Sequence, residues 1–446
     1  MTRRIIALLF VAAFLAGACG GRDEDEAVPA DSPGSATETS VGGPTQSDPG
    51  VTDDEILVGA SVTLSGPTGF LGEEVTGAIN AYFGMVNAEG GINGRMLRLI
   101  TYDDGGDAGQ LLANIRRLVE EDQVVSLVTG LGDVALDYID QHSVPTLTFG
   151  VSPTSFASRY ETVFPIVGNA LLWTQETIAG LDEAGVIEDG MRVGIIYDNG
   201  LIDISPYLDA IQESWENVGA EVVTVDPLTL ATGTCDSLVL KYRDLGVDYW
   251  DFQTAAWYLC VQAGDQQGFE PRLGWGGWPA SVPTIASIAG PAVDGVWGGS
   301  NGDQPDGAPR EFTSAHEEFL AALEEYAPDL VDPAHLDSPA VLGYWAGAKL
   351  MVDALEAQGD IVTAAGVTDW IQGVEDYEIG VTPPIISMAP DCKTGSEVVW
   401  IGQWEWDDAT ETASRVPSTD YFSSPQKEEF GGECFLTAIS DEILGD

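Results

Sequence analysis

The amino-acid sequence predicts an α/β protein of two lobes, each built on a parallel sheet with helices on both faces. Three observations predict it. Unbroken runs rich in β-branched and aromatic residues alternate with amphipathic helical patterns, as expected of strands buried on both faces. The alternation runs through one series and restarts near Arg192. About 390 residues carry it, more than one hydrophobic core usually organises.

The elements follow in order. Arg3 and Arg4 precede an apolar run over 5–15 that is too short to span a bilayer and carries the charge asymmetry of a secretory signal. It ends in "LAGAC", which resembles the lipobox of bacterial lipoproteins. That resemblance implies a signal peptide over 1–18, cleavage between Ala18 and Cys19, and lipid on Cys19. Residues 20–54 contain no aromatic and are dominated by Asp, Glu, Gly, Pro, Ser and Thr, so residues 19–54 read as a disordered acidic tether. Such a tether holds the folded body roughly 30 Å from the membrane.

Beyond the tether, a buried strand ending near Leu64 feeds a helix through the polar turn Ser65, Gly66, Pro67. Val75, Ala78, Ile79, Tyr82, Phe83 and Val86 form one face of that helix, with Glu73, Glu74 and Asn80 elsewhere. The series continues through "LRLITY" from Leu97, a helix with Leu111, Ile115 and Leu118 on one face, "VVSLVT" from Val124 and "PTLTF" from Pro145. Asp103 and Asp104, at a strand end before Gly, are expected to cap the next helix. The second series comprises "RVGIIYD" from Arg192, a helix with Tyr207, Leu208, Ile211 and Trp215, "EVVTV" from Glu221, a helix from Cys235, and "YWDFQ" from Tyr249.

In open sheets of this kind ligands bind beyond the carboxyl ends of the strands. Gly-rich loops stand at several such ends: at Ser65, Thr129, Phe149, Asp198, Gln253 and Gly274. Their convergence points to one binding cleft rather than to independent turns.

The order and spacing of "SGPTGFLGEEVTGA", "NAEGGINGRMLRLITYDDGGD", "YWAGAKLMVDALEAQGD" and "VVWIGQW" resemble the Leu/Ile/Val-binding family of type I periplasmic solute-binding proteins, over nearly all of the chain after Glu55. The resemblance implies two Rossmann-like lobes joined by three crossover segments, near 164–169, 297–301 and 380–385. Lobe I would comprise 55–166 and 300–380, and lobe II 167–299 and 381–446. It further implies a solute trapped between closing lobes and delivered to an ABC-type permease, by a monomer anchored on the extracytoplasmic side of the membrane. The rival reading is a receptor component that reports occupancy to a membrane partner. Transfer of site residues gives Phe70 and Leu71 after the first strand, Leu131 and Gly132 after the third, and Gly150, Val151 and Ser152 after the fourth. In the second lobe it gives Ile202, Thr254, Trp257, Trp275 and Trp278. This pattern fits a small, mostly apolar ligand with a carboxylate or amide.

The family's acidic partner for an α-ammonium is replaced here by Gly276, Gly277 and Trp278, which argues for a ligand without an ammonium group unless Asp198 or Asp203 substitutes. Enzyme chemistry finds no support. His142, His316 and His335 lack metal-ligand spacing, no C-x-x-C, G-x-S-x-G or Walker loop occurs, and no cofactor is expected. Apart from Cys19, four cysteines remain, and of their three pairings Cys235 with Cys260 and Cys392 with Cys434 is expected. The net charge of −55 becomes −57 once Arg3 and Arg4 leave (−55 − 2), which disfavours nucleic acid and anionic lipid as partners. So acidic a body fits either a saline habitat or an ordinary acidic extracellular protein.

Overall fold

The computed structural model describes residues 46–445 except 67, 131, 200–201, 203, 229–233, 270–271, 275–281, 301–312, 337, 383–384, 395–399, 419–431 and 433. Among the expected site residues, Cys19, Leu131, Asp203, Trp275, Gly276, Gly277 and Trp278 therefore lie outside the described residues.

The first lobe is the predicted alternation. Strand β1 (Glu55–Val62) leads to α1 (Gly69–Ala88), β2 (Met96–Asp103), α2 (Ala108–Glu120), β3 (Ser126–Thr129), α3 (Leu136–Gln141), β4 (Thr146–Thr148) and β5 (Val163–Pro165). These strands form one parallel sheet in the order β2-β1-β3-β4-β5. Val58, Ala60 and Val62 of β1 pack into the core that includes α1, while Leu127 of β3 packs with Leu111, Ile115 and Leu118 of α2 on the other face. Side chains alternate along a strand, so one apolar run covers both faces.

The second lobe repeats the pattern with α4 (Ala170–Glu183), β6 (Arg192–Tyr197), α5 (Leu208–Asn217), β7 (Glu221–Pro227), α6 (Asp236–Leu245), β8 (Tyr249–Gln253), α7 (Trp257–Gln267), β9 (Arg272–Gly274) and α8 (Pro283–Ala289). Its parallel sheet runs β7-β6-β8-β9. Trp215, Tyr249, Trp250 and Trp257 are fully enclosed in its core. The Cys235–Cys260 disulfide joins the start of α6 to α7.

The chain crosses first along 166–169, where Ile166 and Val167 donate their amides to the carbonyls of Thr148 and Phe149 and so extend β5 along β4. It reaches β10 (Trp297–Ser300) in the second lobe and then returns to α9 (Ser314–Tyr326), which packs on α1. Next come α10 (Pro333–Leu336), α11 (Pro339–Ala357), α12 (Ala364–Gln372), β11 (Glu375–Tyr377), β12 (Ile385–Ala389) and β13 (Cys392–Lys393).

The carboxy-terminal segment departs from expectation. Antiparallel β11-β12-β13 stays with the first lobe, because β12 packs on α12 and the buried Lys393 donates through Nζ to the carbonyls of Ala157 (2.9 Å) and Tyr160 (2.6 Å). At Lys393, beyond the crossover expected at 380–385, the chain is thus still held by the first lobe. Strands β14 (Trp400–Asp407) and β15 (Thr412–Pro417) then join β10 in an antiparallel sheet of the second lobe. Helix α13 (Phe435–Leu444) lies back on the first lobe. The Cys392–Cys434 disulfide and the Ser158 amide, which donates to Asp441 Oδ1 at 2.8 Å, hold it there.

Two local expectations are corrected. The tether was expected to run to Asp54, but the Asp48 amide donates to the Val362 carbonyl and Asp48 Oδ2 accepts from the Ala364 amide, so the folded body begins by Ser47. Asp103 and Asp104 do not cap α2. Asp107 does, accepting from the Gln110 amide at 2.8 Å.

Candidate functional site

Asp103 and Asp104 instead shape the first ligand loop. Asp103 Oδ1 accepts from the amides of Leu64 (2.9 Å) and Gly105 (2.8 Å), and Asp104 Oδ1 accepts from the Thr63 hydroxyl (2.7 Å). The Ser65 hydroxyl and the Leu64 amide hold the Asp103 carboxyl below the usual carboxylate range, which keeps it an acceptor. Helix α1 starts tight against the end of β1. A Cβ on Gly72 would lie 2.0 Å from the Thr63 carbonyl oxygen, and one on Gly69 2.7 Å from that of Leu64. The glycines in this turn are there so that helix and strand can approach, and the polar residues bind the turn together.

Behind this loop is a small apolar pocket. Leu71, Gly72 and Val75 of α1, Phe149, and Ala340 and Tyr344 of α11 line it. Tyr344 is wholly buried and donates its hydroxyl to the Thr129 carbonyl at 2.6 Å, with its ring 5.9 Å from that of Phe149. Sequence reasoning quoted Tyr344 only as part of a helix, since a helical pattern does not say which sheet end its residues meet. Of the two residues expected from α1, Leu71 reaches this pocket and Phe70 packs on the core.

The fourth-strand loop turns at Gly150, whose φ is +85° and whose Cβ would meet that of Pro165 at 2.6 Å. Only glycine fits there without strain. Val151 is buried, and its carbonyl accepts from the Ala170 amide at the start of α4. Ser152 precedes a 3₁₀ turn (Pro153–Phe156) without capping it, and its buried hydroxyl has no hydrogen-bond partner among the described residues. Such a group costs free energy until something pairs with it.

Gly130, Gly132 and Asp133 after β3 face this loop, and Ile202 of the second lobe completes the same small pocket. The expected contributors Gly132, Gly150, Val151, Ser152 and Ile202 are thus brought together from both lobes. Asp133 is the addition. Its carboxyl accepts from the Ser155 hydroxyl at 3.2 Å and is pushed up to about 6 by burial, with the Ser155 bond pulling the other way. The electrostatic influence of Asp133 reaches Tyr207 of the second lobe.

Thr254 and Trp257 stand apart from this group. The Thr254 hydroxyl donates to the Leu228 carbonyl and accepts from the Ala256 amide, and Trp257 is fully enclosed with its ring 6.5 Å from that of Phe252. Asp198 is buried at the end of β6, with its amide donating to the Gln253 carbonyl. The histidines serve local structure: His142 bonds the Tyr138 carbonyl, His316 completes the cap of α9, and His335 bonds Asp332.

Glu74, expected away from the buried face of α1, is 0 % exposed. It accepts from the hydroxyls of Ser338 (2.6 Å) and Thr284 (2.8 Å), and His335 Nε2 lies 3.8 Å away. Burial pushes its carboxyl up to about 7 against these partners.

A concavity of about 730 Å³, lined by Val186, Trp250, Asp265, Phe269, Asp294 and Trp297, is larger than either pocket above. It lies past the carboxyl ends of α4 and α7, at the opposite end of the second sheet from the ligand loops. Strand-end position, not volume, makes the loop pocket the candidate site.

Known proteins share this fold. A Leu/Ile/Val-binding protein homolog 2 from Brucella abortus (strain 2308) is 24% identical over 271 residues, covering 57% of this chain and 70% of its own. Among solved structures, a fatty acid ABC transporter substrate-binding protein from Thermomonospora curvata superposes with a TM-score of 0.72 at 20% identity, covering 87% of this chain and 97% of its own. A branched chain amino acid ABC transporter from Thermus thermophilus with bound valine also reaches 0.72, at 15% identity, covering 85% and 100%. The sequence family described as periplasmic binding protein matches residues 55–411, and this chain belongs to it.

Proposed function

We propose that this protein is the extracytoplasmic solute-binding component of an ABC-type importer. It would capture a small, largely apolar organic solute, an amino acid or a related carboxylate or amide, between its lobes. The observation that carries this reading is the meeting of Ile202 of the second lobe with Gly132, Asp133, Gly150 and Ser152 of the first in one pocket, with Leu71, Phe149 and Tyr344 close behind. The unpartnered Ser152 hydroxyl and the Gly150 turn suit the polar end of the solute, and the apolar wall suits its body. The relatives named for Leu/Ile/Val binding, fatty acid and bound valine support the same range of ligands. The lobes would comprise 46–166, 314–394 and 434–445 on one side and 167–300 and 400–418 on the other.

Ligand-induced thermal stabilisation of the mature protein tests this reading, with Trp emission as the second readout. A ligand at 100 times its Kd adds about 2.7 kcal/mol. A broad panel of amino acids, fatty acids and aromatic acids that produces no stabilisation rejects it. Membrane attachment through Cys19 is part of the proposal. Cys19→Ala is expected to release the protein into the medium, and retention on the membrane at mature size rejects the anchor.

A further inference from the structure

The pocket holds one feature that the transfer of site residues did not anticipate. Asp133 stands on the third-strand loop, directly after the expected Gly132, and a carboxylate there repels a ligand carboxylate. Among the described residues it accepts from the Ser155 hydroxyl, at 3.2 Å, and no ion pair reaches it. Asp133 is partly exposed and lines the pocket. A carboxylate on a pocket wall that accepts from one hydroxyl keeps lone pairs with which to receive a cationic donor. The buried Ser152 hydroxyl also has no partner among the described residues, and both residues line the pocket together with Ile202.

Resting on the proposed function, we propose that Asp133 is a specificity-determining residue that receives the ammonium group of the solute, while Ser152 and the Gly150 loop receive its second polar group. The first lobe thereby supplies the counter-charge for which sequence reasoning searched the second lobe. The solute class becomes amines with an apolar body, α-amino acids foremost, rather than deaminated acids.

The test uses the whole mature protein with leucine and phenylalanine, their 2-oxo acids and their decarboxylated amines, by titration calorimetry. At least one amine-bearing compound is expected to bind wild type more tightly than the matching 2-oxo acid. Asp133→Asn, which keeps shape and the Ser155 bond, is expected to weaken that compound roughly 100-fold, as removal of one partner from an enclosed charge pair does, and to spare or improve the oxo acid. Ser152→Ala is expected to weaken leucine but not the decarboxylated amine. The proposal is overturned if no amine binds wild type, if an oxo acid binds tighter than its amino acid, or if Asp133→Asn leaves their ratio unchanged. In the first case, binding of the oxo acids keeps the solute-binding reading standing without Asp133's role, and binding of no compound counts against both. The wild-type ratio decides the matter even if a variant fails to fold.

Discussion

Thr284 donates its hydroxyl to Glu74 across 2.8 Å and so ties α8 of the second lobe to α1 of the first. The acceptor is enclosed, bonded also to Ser338, and faced by His335 and Asp332. Separating α8 from α1 would remove a donor from an acid already raised by burial.

Acid should stabilise the folded chain at this carboxyl, by relieving the cost of burying its charge. Burial holds the Glu74 carboxyl near 7 in the folded chain against 4.5 when free, so between those values the folded chain binds the extra proton. The contribution is fully present below about pH 4.5 and is lost as pH rises through 7, on the order of 3 kcal/mol at most. Glu74→Gln should flatten the melting-temperature profile across this window, and an unchanged slope contradicts the assignment.

Lys393 should act in the adjoining window with the opposite sign. Burial lowers its ammonium to about 7 from 10.5, so the unfolded chain holds the extra proton between these values and stability rises with pH across them. Lys393→Ala leaves the Ala157 and Tyr160 carbonyls unpaired and should cost about 2–4 kcal/mol. Urea unfolding at pH 7 and pH 9 measures both effects.

Reduction should loosen the same region. The Cys392–Cys434 link closes a separation of 42 residues. Chain entropy puts its worth at about 4 kcal/mol. Cys392→Ser with Cys434→Ser should lower the melting temperature by several degrees, and a reductant should then have less further effect than on wild type.

Gly72→Ala tests the strand-to-helix junction. Its new Cβ would stand 2.0 Å from the Thr63 carbonyl, and overpacking of this kind typically costs about 1–3 kcal/mol. Solute affinity should fall with stability, because Gly72 lines the apolar pocket. Full retention of both would show that the junction relaxes freely.

Salt should stabilise a chain of net charge −55. The screening length falls from about 10 Å at 0.1 M to about 3 Å at 1 M, which weakens self-repulsion. A melting temperature that does not rise over that range removes the saline-habitat reading.

The sequence by itself determined the two parallel sheets, their restart near Arg192 and the strand-end positions of the Gly-rich loops, and it held the cysteines to three pairings, of which the expected one is found. Hydrophobic periodicity is local, and it states which face of an element is apolar. It does not state what covers the other face. For that reason only the tertiary structure decided that Glu74 is enclosed by Ser338 and Thr284, and that Tyr344 of a distant helix meets Thr129. It also decided that Lys393 and α13 return to the first lobe, and that Thr254 and Trp257 are taken up by their own lobe. Asp133 marks the division most clearly. In sequence it is one acidic residue among 72, and its place beside Ser152 and Ile202, which no spacing rule encodes, is what carries its proposed role.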